Sequence, residues 1–586
     1  VAAAVLSLYV FRLAPTPYML DSGELVATTQ ALGISHPPGH PAFHLLTASA
    51  LAVPLGSAAL RVHFMVALFS ALALAALPLC AGLLGWIRSR TQLWFASTVA
   101  IALAFTPAFA QQSVRAEVYS LNALLIALAT TLVCVKWPRR PIGATVGVAL
   151  ALGVGLLNHH YLILFTFPAF LVAVVAGSNV SRGKQVIAGA VAGAGMLVGY
   201  LYLPLRALAR PRVGWGWPDS LDEVYWLVSA QAFQKTAEAA VELDVFAGLT
   251  NVGAVLSECL TLPVLIGSIV GILLLCARRR LIGVVLLIAV VFNLATQTLF
   301  AFDPTNPDVL GYFMPTFWWL GLGLIFVVAT TRLPGQLEPL TAPVQLTFGA
   351  VALTGIAFSA AGGYRSVDLG DYWDSELLRD EAFNGLQPDS VWITTYFETG
   401  FNTWYAQSVE DRRPDVEHLH HAFLTYDFYG EMLDSQAPVA GSLRGDGELL
   451  SLDASAALAG VADVRIEAEQ LVTPEFAAQC IPSRLYLHLL DEPLAEGEFP
   501  LELAIAATEQ LVAVRSRFNR GTPEAEEYEL QTGRNLLWAH FNLAMQMCAA
   551  DRQTTCRAMI HETRRLSPND PELAAIAARL EAEATD

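Results

Sequence analysis

Residues 1–361 are a succession of apolar runs, most of them separated by short clusters of arginine and lysine, and this alternation decides what the chain can fold into. A helix needs roughly 20 mostly apolar residues to cross a bilayer. Eleven such runs are legible, centred on 1–14, 62–86, 93–110, 119–135, 141–157, 161–178, 186–205, 252–276, 281–301, 311–330 and 342–360. The first is already apolar at Val1 and reads as cut short, and no cleavable signal pattern is legible. Residues 362–586 are far more acidic and hold no run long enough to span. Only 15% of the chain is charged, against about 25% in an average soluble protein. The predicted fold is therefore mainly α: a polytopic membrane helix bundle (1–361), a smaller soluble α/β domain (362–497) and a helical segment (498–586). The net charge of -18 comes largely from the tail and excludes a nucleic-acid partner, which needs a basic face.

The basic clusters give direction. Arg88 and Arg90 follow the second run, Lys136, Arg139 and Arg140 the fourth, Arg182 and Lys184 the sixth, Arg278, Arg279 and Arg280 the eighth, and Arg332 the tenth. Short basic loops stay cytoplasmic. The N-terminus is thus expected inside and the tail outside, as in a protein of the bacterial inner membrane. The apolar stretch 42–56 (AFHLLTASALAVPLG) would invert every later span if it crossed; it is short, and reads as a re-entrant or interfacial helix in the first outer loop.

With this topology the unusual polar motifs all fall on the outer side, although they played no part in assigning it. Asp21-Ser22-Gly23-Glu24 reads as a helix N-cap and equally as a general base. An acceptor hydroxyl has a pKa far above neutrality and needs a positioned carboxylate to take its proton. The run His36-Pro37-Pro38-Gly39-His40-Pro41 is a rigid turn; it folds the loop back toward the membrane or holds His36 or His40 near a phosphate. Glu117 is a dipole partner at a helix start or a second active-site carboxylate, flanked by Arg115 as a phosphate ligand and Tyr119 as a substrate contact. His159 and His160 are interfacial residues or ligands for a donor phosphate or a metal. Arg206 either snorkels to the headgroups or clamps a departing lipid phosphate. Trp215 and Trp217 belong to an aromatic belt or stack on a sugar. Asp303 and Asp308 shape a loop through their proline neighbours. Nothing in these residues requires a metal or a cofactor, and no nucleotide-binding glycine loop, nucleophile elbow or HExxH motif is present.

Taken in order, D-S-G-E (21–24), H-P-P-G-H-P (36–41), A-E-V-Y-S (116–120), L-N-H-H (157–160), Y-L-P-L-R (202–206) and W-G-W-P-D (215–219) make the chain similar to a bacterial multi-spanning family. That family is related to the eukaryotic transmembrane O-mannosyltransferase acting on IPT domains of plexin-type receptors, and the resemblance covers residues 15–320. It implies a GT-C fold, a polyprenyl-phosphate sugar as donor (typically mannose) and inversion at the anomeric carbon. It also implies a catalytic acid in the first outer loop, the position Asp21 holds, with Glu24 second. The expected function is transfer of that sugar to a hydroxyl of a protein or glycan acceptor on the extracytoplasmic face. The alternatives are a transporter or flippase, which calls for charges at mid-membrane depth and paired broken helices, and a non-catalytic scaffold subunit of an envelope complex.

In the tail, Val391–Phe397 (VWITTYF) is strand-like and is followed by a helical stretch at 399–409, the pattern of a small α/β unit. Residues 535–573 resemble one tetratricopeptide-type helical pair, too little for a solenoid. The tail caps the membrane part or docks an acceptor. Cys80, Cys134, Cys259 and Cys276 read as packing residues, and an exported tail allows a Cys548–Cys556 disulfide.

Overall fold

The computed structural model describes residues 1–136, 140–176, 181–233, 245–299, 306–330, most of 368–436 and shorter stretches between 462 and 492. Most of the eleventh expected span (342–360), together with Asp303, Arg332, nearly all of the tetratricopeptide-like stretch, Cys548 and Cys556, lies outside the described residues.

The described helices of the apolar part are α1 (Ala2–Val10), α2 (Ser22–Ala31), α3 (Pro41–Leu51), α4 (Ala58–Leu83), α5 (Arg90–Leu103), α6 (Pro107–Ala110), α7 (Tyr119–Thr131), α8 (Pro141–Ala176), α9 (Arg182–Leu197), α10 (Tyr202–Leu208), α11 (Leu221–Val228), α12 (Val245–Cys259), α13 (Leu262–Arg278), α14 (Arg280–Leu299) and α15 (Met314–Thr330). By length and composition, five helices among the described residues can cross a membrane, or up to seven if each bent pair is one span. The bent pairs are Arg90–Leu103 with Pro107–Ser113, at 70°, and Val245–Cys259 with Leu262–Arg278, at 103°. The chain is an integral membrane protein with a mainly α polytopic bundle.

One of the five, within α8, covers two expected spans at once. It is broken at His159, whose backbone is non-helical (φ -149, ψ 96). A Cβ placed on Gly155 would lie 2.5 Å from the Ile163 side chain, whereas an unbroken helix holds those two positions about 12 Å apart. The helix therefore doubles back at the break, and the expected third outer loop is a reversal at Asn158-His159-His160. α9 then runs beside the first arm and in the same sense, since Thr145 meets Gly189, Gly153 meets Met196 and Leu157 meets Gly199. The ambiguous stretch 42–56 holds α3, with 11 residues. That is about 16 Å of helix, half of a hydrocarbon core of about 30 Å.

The chain divides into two compact units: Val1–Pro15, Ile34–Arg206 and Asp219–Asp371 in the first; Thr16–Gly33, Ala207–Pro218 and Tyr372–Asp586 in the second. The second unit is thus more than the tail, because it takes α2 and the segment around Trp215 from the apolar part. Its further elements are α16 (Asp374–Gly385), β1 (Val391–Thr394), α17 (Phe397–Val409), β2 (Glu417–His420), α18 (Gly430–Gln436), β3 (Val464–Glu467), β4 (Cys480–Ser483) and β5 (Tyr486–Leu489). The sheet order is β2-β1-β3-β5-β4. β1 runs parallel to both β2 and β3, and β5 antiparallel to β3 and β4. β1 lies inside the VWITTYF run and is buried throughout, as a central parallel strand covered on both faces must be.

β2, the residue after it and the carboxyl end of β3 carry titratable groups that burial perturbs. Burial pushes His418 down to about 3 and holds His420 and His421 below the usual imidazole value. Unfolded, these rings titrate near 6.5, so the stability they contribute is full above that pH and is lost as pH falls toward the folded values. Glu467 has the opposite sign: burial pushes it up to about 7, and its contribution is lost as pH rises through that value. Three rings outweigh one carboxyl. Amide protection of residues 391–394 and 417–420 in the full-length protein, corrected for intrinsic exchange, should fall between pH 7 and pH 5, and His418→Gln should make the fall shallower; a flat wild-type profile contradicts this.

Candidate active site

The described residues singled out by sequence are divided between the two units. In the first unit, His36–Gly39 form the expected turn, closed by the Gly39 N–H donating to the His36 carbonyl at 2.7 Å, with Gly39 at φ +89. His40 is fully buried, and Nδ1 meets the Asn158 carbonyl while Nε2 lies 3.1 Å from His36 Nε2. A carbonyl only accepts, so Nδ1 carries the proton. Burial, ahead of the neighbouring His36 and His159, holds the His40 pKa well below its usual value, so the ring is neutral and Nε2 accepts from His36. Both nitrogens of His40 are spent inside the protein, which makes it a support for His36 rather than the phosphate ligand the sequence suggested. Asn158 completes the bracket, donating to the Val118 carbonyl (2.8 Å) and to Asn122 Oδ1 (2.9 Å).

His159 stacks near His40 at 5.9 Å between ring centroids, and its Nε2 lies 3.3 Å from the Tyr312 hydroxyl. Tyr119 packs against both, 5.3 Å from His159 and 5.2 Å from Tyr312. Nδ1 of His160 is buried without a hydrogen-bond partner among the described residues. Tyr312 and Asp308 share one short 3-10 helix, Pro307–Phe313. Asp308 forms an ion pair with Arg115, whose guanidinium also lies 4.0 Å from Glu117. Arg115 is 1% exposed and donates further to the Gln111 carbonyl at 3.3 Å. A buried guanidinium is tolerated only with such partners. Its partners are carboxylates, so Arg115 holds Glu117 and Asp308 rather than presenting an open anion site. Sequence reasoning gave Asp308 only a loop-shaping role and did not name Tyr312; the signal was an acidic residue one turn before a tyrosine at the start of an otherwise apolar span. Arg206 is half-buried near the end of α10.

In the second unit, Asp21 takes the N-cap position of α2, but its side chain makes no capping hydrogen bond. The capping reading is thus not what fixes this carboxylate. Glu24, in the first turn, is fully buried. Trp215 corrects the sequence reading: at 1% exposure, it stacks on Phe397 (5.5 Å, 14°) and meets Phe423 edge-on, so neither face is open to a sugar. Trp217 is buried too; its Nε1 donates to the Pro211 carbonyl at 3.0 Å and the Arg210 guanidinium lies over the ring.

Residues 21–182 match the family model described as the Protein O-mannosyl-transferase TMEM260 N-terminal domain. The chain is 32% identical over 208 residues to Protein O-mannosyl-transferase TMEM260 of Mus musculus, covering 33% of this chain and 28% of that protein. It is 25% identical over 183 residues to the Dictyostelium discoideum protein of that name, covering 27% of this chain and 21% of the relative. Over this segment the chain is similar to the N-terminal part of these O-mannosyl-transferases. It spans only about a quarter of the length of these curated relatives. In fold it is similar to ArnT from Cupriavidus metallidurans, both bound to undecaprenyl phosphate (TM-score 0.54, 12% identity, 79% of this chain and 92% of that one) and in the apo state (TM-score 0.54, 13% identity, 84% and 97%). Asp21, Glu24, His36, His40, Arg115, Glu117, Tyr119, His159 and His160 all fall inside the matched O-mannosyltransferase-like segment, whereas Arg206, Trp215, Trp217, Asp308 and Tyr312 lie beyond it.

Breaking a buried ion pair on one side costs about 3–5 kcal/mol. Asp308→Asn should therefore lower the thermal midpoint of the detergent-solubilised protein by several degrees, and Asp308→Asn combined with Arg115→Gln should cost less than the sum of the two single changes. Strict additivity would show that the pair is not coupled.

Proposed function

We propose that this protein is a membrane glycosyltransferase that moves a sugar, mannose in the first instance, from a polyprenyl-phosphate donor to a hydroxyl of a protein or glycan acceptor on the extracytoplasmic face. The observation that carries the reading is the family match over 21–182, which contains the candidate acids Asp21, Glu24 and Glu117 and the candidate imidazoles His36, His40, His159 and His160. In this reading the acceptor oxygen attacks C1 of the sugar as the bond from C1 to the phosphate oxygen breaks. The acceptor proton passes to the Asp21 carboxylate, and the departing polyprenyl phosphate keeps the electron pair. Attack from the face opposite the phosphate inverts the anomeric carbon. Arg206 offers the departing phosphate a positive charge, and His36 and His160 offer hydrogen bonds. Glu24 and Glu117 are the further acids that the sequence offers.

A lipid-linked donor is supported by an apolar cavity of about 520 Å³ between the two arms of α8 and α9, lined by residues such as Leu152, Leu156, Ile163, Phe167, Ala190 and Leu197. Leu156 is two residues from Asn158, so in the first unit an apolar wall leads up to the histidines. ArnT, similar in fold, has been solved with undecaprenyl phosphate, and a polyprenyl carrier is the donor class that suits such a wall.

The test is turnover by the full chain, reconstituted in lipid nanodiscs, with polyprenyl-phosphate-mannose and a Ser/Thr-rich peptide. Loss of a general base costs about 10²–10⁴-fold, so correctly inserted Asp21→Asn should fall by that factor; undiminished turnover removes Asp21 as the base. Ala190→Phe, which fills the cavity, should raise KM for a long-chain donor severalfold and leave a short-chain donor untouched. An equal effect on both would mean the cavity does not take the lipid.

A further inference from the structure

The segment carrying Asp21 is built into the α/β unit at four points, all within the second unit. The Thr16 hydroxyl donates to the Tyr372 carbonyl at 3.1 Å, and the Met19 N–H to the Tyr372 hydroxyl at 3.3 Å. The Ser375 hydroxyl donates to the Pro17 carbonyl, and the Tyr18 and Tyr372 rings lie 4.8 Å apart. α2 then packs along α17. At Gly23 the two helices touch through their backbones: a Cβ there would stand 2.9 Å from the Phe401 carbonyl oxygen, 3.0 Å from its carbon and 3.1 Å from the Asn402 nitrogen. None of these atoms can swing away as a side-chain tip can. α17 is in turn anchored to the sheet. Glu467, at the end of β3, accepts from the Thr395 N–H (2.9 Å), the Tyr396 N–H (3.0 Å) and the Thr399 hydroxyl (2.6 Å), the donors at the start of α17.

We propose that Gly23 is a positioning residue: the backbone contact between Gly23 and Phe401, with the Tyr372 contacts before it, sets where the Asp21 carboxylate stands, so that the α/β unit is a working part of the catalytic loop. The proposal rests on Asp21 being the base. Its chemistry is specific to glycine, since any side chain at position 23 drives α2 off α17 and moves the carboxylate two residues earlier. Helix propensity works the other way. Alanine favours a helix over glycine, so a loss on Gly23→Ala does not come from a weaker α2.

The experiment is a double-mutant cycle on the reconstituted full chain, with kcat and donor KM measured for Gly23→Ala, Asp21→Asn and the pair. Gly23→Ala should lower kcat at least tenfold, keep donor KM within twofold, and cost nothing further in the Asp21→Asn background. Wild-type kcat in Gly23→Ala overturns the proposal, and so does a full additional loss in the double variant, the mark of a general structural defect. Should Gly23→Ala fail to insert, Tyr372→Phe, which removes the acceptor of the Met19 N–H, should give the same pattern at a few-fold amplitude, and wild-type kcat there overturns it equally. Full activity in Asp21→Asn alone would defeat the base assignment itself, an outcome distinct from a normal Gly23→Ala beside a dead Asp21→Asn.

Discussion

Hydrocarbon offers a polar side chain no solvent, so every such group carried into a membrane bundle has to be matched from within. Arg115 shows how far that requirement reaches. Its guanidinium is buried and is neutralised by Asp308, 193 residues further along the chain, as well as by the nearby Glu117. The short helix that delivers Asp308 also delivers Tyr312 to His159. His159 sits at the break in α8, its carbonyl held by Asn122 at 2.8 Å, while Asn158 beside it ties His40 and so His36. The polar centre of the first unit is thus a connected set of partners rather than a scatter of loop residues. A helix break, a tight turn and a short 3-10 helix meet in it because each supplies a group that the others need.

What the sequence could reveal follows from the range of the physics involved. The turn at 36–39, the short α3, the strand inside VWITTYF and the reversal at Asn158-His159-His160 depend on neighbours a few residues away, and the pattern of apolar and special residues reports them directly. Partnerships across the chain leave no such trace. Asp308 looked like a loop residue because its partner lies in another motif. Trp215 looked like a sugar platform because an exposed tryptophan and one enclosed by Phe397 and Phe423 are written with the same letter. His40 was legible as a residue of the site, but its duty to Asn158 and His36 depends on where two other segments arrive. Gly23 stood in plain view within D-S-G-E, yet the reason for a glycine there is the α17 backbone, which no local pattern encodes.

The two units also show why a boundary near residue 361 was the natural expectation and why the contacts divide the chain differently. Hydropathy changes once along the sequence, and a division drawn from it is contiguous. Packing assigns α2 and the stretch around Trp215 to the later residues, because Trp215 fills an aromatic cluster with Phe397 and Phe423, and α2 lies on α17. Two short pieces that hydropathy counts with the membrane part therefore pack with the α/β fold.

That assignment carries a consequence for biogenesis. Met19 and Tyr372 are 353 residues apart, so the loop bearing Asp21 leaves the ribosome long before its supports exist. At about 5–20 residues per second, the delay is roughly 20–70 s. Through that interval the loop lacks its contacts with Tyr372, Ser375 and α17, and a chain stopped before Tyr372 would hold the helices of the bundle without them. Synthesis order thus delivers the Asp21 loop well before the α/β elements it packs on.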